Sequence, residues 1–194
     1  MGHFALFEAL KSALLASSKP DFQSRVVTLS ASGHRQSGIR FDDYHFENRG
    51  DEYAPLLAYA QSKTANIYMA LEIERRYGEQ GIHGLAVHPG GIATTALSRL
   101  TPPEQLAALT SRPKIAVTLK SAAQGAATTV WAAIAKEWEG KGGKFLEDCQ
   151  ESELWNGDTT VLASGYAAHV YDAESAAQLW KDSLRMVGSS EGGW

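Results

Sequence analysis

The 194-residue sequence has a single cysteine, Cys149, so no disulfide can form within the chain and a reducing, cytoplasmic setting is the expectation. Basic residues do not cluster. Their longest run is Arg75-Arg76, and 18 Lys and Arg against 22 Asp and Glu leave a net charge of -4. That balance argues against a nucleic-acid or acidic-membrane partner. Long apolar runs are missing too: the most apolar stretch, 4–16, is interrupted by Glu8 and Lys11 and is too short for a membrane span. It also lacks the basic start and small-residue cleavage site of a signal peptide. The six histidines have no ligand-type spacing, and His83 and His88, five apart on one strand, point to opposite faces, so no metal site is expected. No internal repeat or domain boundary is visible. With 44% hydrophobic residues, residues 1–194 are expected to form one domain with a sizeable core.

What is present is an alternation of helical and strand patterns. In 2–17, Phe4, Phe7, Leu10 and Leu14 recur every three or four residues, with Leu6, Ala9 and Ala13 widening the stripe; this predicts a buried helix ended at Ser17-Ser18-Lys19-Pro20-Asp21. The β-branched run 25–30 predicts a strand buried on both faces. Residues 36–56 are polar and aperiodic and read as a long loop. A helix over 55–77 is apolar on more than one side and must be covered by two layers. Strand 82–88 ends at Pro89-Gly90-Gly91. Beyond it come a short helix opened by Thr101-Pro102-Pro103 and a helix over 121–137 with Ala122, Ala126, Thr129, Val130, Ala133 and Ile134 on its face. A short strand 144–148, a helix over 173–186 around Ala176, Leu179, Trp180 and Leu184, and a loose tail 189–194 complete the chain. Helix and strand in strict alternation imply an α/β fold, a parallel sheet with helices on both faces, whose working groups lie beyond the carboxyl ends of the strands. Those ends are Ser30-Ala31-Ser32-Gly33 and His88-Pro89-Gly90-Gly91.

Between them in sequence lies Ala58-Tyr59-Ala60-Gln61-Ser62-Lys63-Thr64-Ala65-Asn66. Tyr59 and Lys63, four apart, share one helix face. An ammonium beside a phenol, whose ordinary pKa is about 10, favours the phenolate and makes the tyrosine a usable proton donor or acceptor. In a chain with seven tyrosines such a pair arises by composition roughly one time in three, so the motif means little without its surroundings.

With those surroundings the sequence resembles the carboxyl-terminal half of a short-chain dehydrogenase/reductase, nearest the retinol-dehydrogenase-like and fungal oxidoreductase branch. The resembling residues are 25–30 with His34, Phe41-Asp42-Asp43, the Tyr59 stretch, His88 through Thr94, Gln124-Gly125-Ala126 and 143–149. The resemblance implies a Rossmann-like fold and hydride transfer between NADP or NAD and a small carbonyl or alcohol substrate. It makes Tyr59 the proton-transfer residue. Lys63 lowers its pKa and binds the nicotinamide ribose, Pro89, Gly90 and Ile92 pass along the nicotinamide, and the Thr94 hydroxyl contacts the cofactor. It also makes the helices around 4–16 and 59–77 the expected surfaces of a homo-oligomer.

Two departures accompany the resemblance. The family's catalytic serine falls on Ala31, leaving Ser32, and less readily Ser30, as a substitute; alternatively both hydroxyls only satisfy backbone groups of the turn. Further, no Gly-x-x-x-Gly-x-Gly precedes Tyr59, so the amino-terminal half of the fold, with its phosphate-binding turn and catalytic asparagine, is absent from these 194 residues. The expected function is therefore a short-chain-type oxidoreductase, inactive as this isolated chain. The alternative is a catalytically silent remnant acting as an interaction module.

Overall fold

The computed structural model describes residues 1–47, 53–99, 101–158 and 163–190. Helix α1 (Gly2–Ser17) leads into strand β1 (Ser24–Leu29), which is followed by a 3-10 turn, Ser32–Gln36. Helix α2 (Pro55–Tyr77) starts on a proline at its first turn, where a missing N–H costs nothing, and runs for 23 residues into strand β2 (Ile82–His88). Two short helices follow, α3 (Pro103–Thr110) and α4 (Pro113–Ala116). Helix α5 (Ala122–Ile134) is opened by a capping box in which Ser121 and Gln124 satisfy each other's backbone N–H groups. Strands β3 (Lys144–Glu147) and β4 (Gln150–Glu151) and helix α6 (Ala173–Met186) complete the order.

The strands lie in the order β1-β2-β3-β4. The first three are parallel, in the register Val26↔Gly84, Thr28↔Ala86 and Ala86↔Phe145. Side chains alternate across the sheet as the strand period requires. On one face, Phe4 and Phe7 of α1, Met69 and Ile73 of α2, Ile82, and Trp180 and Leu184 of α6 form a buried cluster. On the other, Leu85, Val87 and Leu146 pack against Ala132 of α5 and Trp138. This is the Rossmann-like arrangement expected, with helices on both faces. Helix α2 can press against β2 because Gly84 is there: a Cβ at that position would overlap the Ala70 carbonyl of α2. Gly84→Ala is expected to cost about 1–3 kcal/mol through overpacking, read as a lowered urea midpoint at unchanged slope.

Four expectations need correction. Strand β1 is not buried on both faces: of its residues only Thr28 is buried, and Leu29 is exposed. The sheet is mixed, because Asp148 and Cys149, both with positive φ, turn the chain back into the antiparallel strand β4. A two-residue turn of this kind usually carries Asn-Gly or Gly, and the sequence has neither here. Helix α1 is only half covered: Leu6 and Leu10 are exposed, whereas the Glu8–Lys11 ion pair is buried. Helix α5 is three residues shorter at its carboxyl end and faces the sheet with Gly125, Thr128 and Ala132; Val130 and Ile134 are exposed. Small residues give the close approach to the sheet, and a hydropathy stripe does not weigh them. Part of the predicted 36–56 loop, residues 48–52, and the tail residues 191–194 lie outside the described residues. The loop's described portion is built in: Tyr44 hydrogen-bonds Asp182 of α6, and the Gln61 side chain accepts from the Arg40 N–H at 2.9 Å and donates to the Tyr44 carbonyl at 3.0 Å.

Candidate active site

Beyond the carboxyl ends of β1 and β2 the surface opens into a cavity of about 420 Å³. Its walls include Ala31, Ser32, Gly33, Tyr59, Gly90 and Ile92, with Arg35, Leu97 and Trp155 on the outer side. Four of the sequence-predicted site residues, Tyr59, Ser32, Gly90 and Ile92, therefore meet in one place. Three do not line it. Lys63 opens onto a different groove beside β1, Thr94 is exposed, and Pro89 is half-buried behind the turn. Ser30 is also turned away: its hydroxyl donates to the Lys63 carbonyl of α2 at 2.9 Å.

Tyr59 is half-buried on α2 with its ring flush against Gly33, where an added Cβ would come within 3.0–3.2 Å of the ring carbons. Burial pushes the phenol pKa up from its ordinary value and pushes the Lys63 ammonium down. The ammonium lies 5.4 Å from the centre of the Tyr59 ring and donates to the Leu29 carbonyl at 3.2 Å. In this arrangement the lysine does not offset the burial of the phenol, which differs from what the four-residue spacing suggests.

The turn after β2 is held from outside. Gly90 has φ +84, and the Lys120 side chain, paired with Asp148, lies across it where a Cβ would sit. The Lys120 N–H donates to the Gly91 carbonyl at 2.8 Å. Gly125, at the start of α5, leaves room for the Ile92 side chain, which a Cβ there would displace. The Gly90-Gly91 backbone lines the cavity beside Tyr59 and Ile92. For the remainder of a dinucleotide the 194 residues contain no Gly-x-x-x-Gly-x-Gly.

The sequence reading missed the residue that braces this site, His34. It is fully buried, and the Ala167 N–H donates to its Nε2 at 3.1 Å, which leaves the Nδ1 proton for the Ala31 carbonyl at 2.6 Å. A neutral imidazole thus ties the end of β1 to the segment preceding α6. The only sequence signal was its place in the resembling stretch. Burial, opposed by the Ala31 hydrogen bond, lowers the His34 pKa to about 4. Burial and the Lys120 charge lower that of His88 to about 4 as well. Since both folded values lie below the ordinary value of about 6.5, the unfolded chain binds more protons between these limits. Stability is complete above about pH 6.5 and falls as pH drops toward 4, by about 1.4 kcal/mol per pH unit for each imidazole. Urea midpoints measured between pH 7 and 5 should show this slope; a flat profile would contradict the buried neutral pair.

The sheet order, the cavity beyond the carboxyl strand ends and the tyrosine helix between them define a Rossmann-like α/β protein. Its relatives are more specific. The chain is 50% identical over 192 residues to "Short-chain dehydrogenase/reductase prx1" of Penicillium roqueforti, covering 98% of this chain and 55% of the relative. It is 43% identical over 189 residues to "Oxidoreductase calI" of Penicillium decumbens, covering 95% and 54%. Among solved structures, the crystal structure of an uncharacterized protein from Mycobacterium paratuberculosis matches with a TM-score of 0.62 at 28% identity, over 97% of this chain and 56% of that one. No family model matches. The chain belongs to the short-chain dehydrogenase/reductase family and corresponds to the carboxyl-terminal ~55% of these curated relatives. Among the described residues, no helix is long and apolar enough to cross a membrane.

Proposed function

We propose that residues 1–194 are the carbonyl-side part of one Rossmann-like domain, and that Tyr59 moves a proton to or from the oxygen of a small ketone or alcohol. The observation that supports this most directly is the shared cavity of Tyr59, Ser32, Gly90 and Ile92. A bound nicotinamide cofactor supplies or accepts the hydride. In the reducing direction the substrate oxygen gains charge as hydride arrives, and the Tyr59 O–H passes its proton to that oxygen. Ser32, on the same wall, holds the oxygen with its hydroxyl. Gly33 keeps the phenol ring in place, and the Gly90-Gly91 turn and Ile92 form the surface along which the nicotinamide lies. Lys63 lowers the phenol pKa once its ammonium leaves Leu29, and it binds the ribose together with Thr94.

The test joins this chain behind the amino-terminal part of the Penicillium roqueforti relative and follows NADH and NADPH oxidation with a panel of apolar ketones. Turnover with one of the cofactors is expected. Ser32→Ala should then lower the rate by about 10²-fold, the typical effect of losing an oxyanion donor, and Ala31→Ser should change it little. No turnover with either cofactor would overturn the reading. A second reading, a catalytically silent interaction module, is favoured by two observations: Ala31 occupies the serine position, and the Lys63 ammonium is engaged on Leu29.

A further inference from the structure

A second cavity, of about 300 Å³, adjoins the Gly90-Gly91 turn and has Lys120, Glu147 and Asp148 among its remaining walls. It shares His88, Gly90 and Gly91 with the Tyr59 cavity. His88 ends β2 and Glu147 ends β3, and the two are paired in the parallel register. Ala86 and Phe145, two residues earlier on each strand, meet in one cluster with Ile67 and Ala70 of α2. The strand period therefore sets His88 and Glu147 side by side on that same face. Both are more than nine-tenths buried, His88 at 7% exposure and Glu147 at 4%.

The polar atoms of this pair are only half used. The Gly90 N–H donates to His88 Nδ1 at 3.3 Å, which puts the proton of the neutral ring on Nε2. The Ser152 hydroxyl and the Gly165 N–H donate to Glu147 Oε1 at 2.6 and 2.7 Å. Among the described residues, nothing bonds His88 Nε2 or Glu147 Oε2. Neither atom is sealed in: the enclosed orphan atoms are Glu8 Oε1, Arg25 Nε and Trp138 Nε1. Both therefore reach open space, and the space that both residues line is this cavity. The neighbouring cations are already engaged, Lys120 on Asp148 and Arg35 on the Ala163 and Ser164 carbonyls.

We infer that this cavity binds a neutral hydroxyl group of a small molecule, which accepts from His88 Nε2 and donates to Glu147 Oε2. A hydroxyl does both at one atom. An ether oxygen only accepts and would stand unpaired against the carboxylate. An ammonium only donates; it would face the His88 N–H and bring charge beside Lys120 and Arg35, whose charges His88 already feels. The shared turn sets the occupant against the wall of the Tyr59 cavity. On the function proposed above, and on that reading alone, it is a second, unreacting hydroxyl of the ketone substrate.

In the experiment the 194-residue chain, carrying isotope-labelled histidine and glycine, is titrated with cyclohexanol, methoxycyclohexane and cyclohexylammonium. The His88 ring nitrogens and the Gly90 and Gly91 amides are followed by NMR. Cyclohexanol should saturate and bind at least about tenfold more tightly than the other two, since each of those leaves one buried partner unpaired. His88→Phe removes the donor and should weaken cyclohexanol at least about tenfold, read at the glycine amides. Glu147→Gln asks a sharper question. Oε1 keeps its two donors only as the amide oxygen, so the amide NH2 takes the place of Oε2 and the pair then offers two donors. The preference for the alcohol over the ether should be lost, whereas a Glu147 that only braced the strand end would weaken both alike. No saturable shift with cyclohexanol, the result if the pair holds water alone, would overturn the inference. So would equal affinity for the three probes, or an alcohol preference that survives Glu147→Gln. The substrate step is tested apart, in the joined chain, as kcat/KM for hydroxycyclohexanones over their methyl ethers. A ratio of at least about tenfold is expected. A ratio near one in a working enzyme would remove the hydroxyl from the substrate and leave the site. No turnover with any ketone would sink the Tyr59 reading, while the titration still decides the site.

Discussion

Tyr59→Phe is expected to cut turnover by about 10²–10⁴-fold in the chain joined to its relative's amino-terminal part, with nicotinamide affinity nearly unchanged. The substitution isolates the hydroxyl. The ring stays flush on Gly33, where the clearance is set by ring carbons and not by the phenol oxygen, so packing at the mouth of the cavity is preserved. What is lost is the proton at the substrate oxygen. Lys63→Met should behave differently, lowering the rate and weakening the cofactor together, because in the proposed mechanism that one side chain both tunes the phenol and binds the ribose. Steady-state kinetics alongside a cofactor titration separate the two patterns. A Tyr59→Phe rate close to the parent's would remove Tyr59 from the chemistry, and a Lys63→Met variant that lost rate alone would remove the lysine from the ribose.

How far the sequence alone reaches is visible residue by residue. The bounds of α2 and β2 were readable because proline, glycine and a long uncharged run mark them, and buried parallel strands carry continuous apolar residues. The grouping of Tyr59 with Gly90 and Ile92 followed from topology, since strand ends in a parallel sheet share one rim. What escaped were facts of tertiary packing. Nothing local announces that Gly33 must be bare because a ring lies on it, or that His34 is held neutral between Ala31 and Ala167, the latter 133 positions from it. Arg35 was likewise silent in sequence, yet its side chain donates to the Ala163 carbonyl at 2.8 Å and lies over Trp155 on the cavity wall. The helix stripes of α1 and α5 misled for a shared reason. Hydropathy assumes that apolar residues are covered, whereas Leu6, Leu10, Val130 and Ile134 are exposed in this chain. Lys63 is the sharpest case. Its spacing from Tyr59 was legible, but its hydrogen bond to the Leu29 carbonyl of β1 is a tertiary contact that no local pattern announces.

The last expected result is that the 194-residue polypeptide by itself binds neither NADH nor NADPH in the micromolar range. Binding a dinucleotide costs roughly 4–15 kcal/mol in lost translational and rotational freedom before any contact is counted. In nucleotide-binding sheets of this kind much of the compensation comes from a Gly-rich turn, whose backbone N–H groups hold the pyrophosphate at a helix N-terminus. No Gly-x-x-x-Gly-x-Gly exists in the sequence to make that turn. The cavity gathers Tyr59, Gly90 and Ile92, while Thr94 is exposed outside it and the Lys63 ammonium is bonded to Leu29. A flat ring resting on a glycine turn and one isoleucine buries too little surface to offset that cost, and a ribose would have to win the lysine from a carbonyl first. Calorimetric titration of the purified chain with each cofactor should therefore show no saturable heat up to millimolar concentrations, and the same titration of the joined chain should show a defined 1:1 isotherm. Micromolar binding by the 194 residues alone would mean that the pyrophosphate is held by groups other than a Gly-rich turn. The first place to search would then be the Gly90-Gly91 turn and Lys120, which already lies across it.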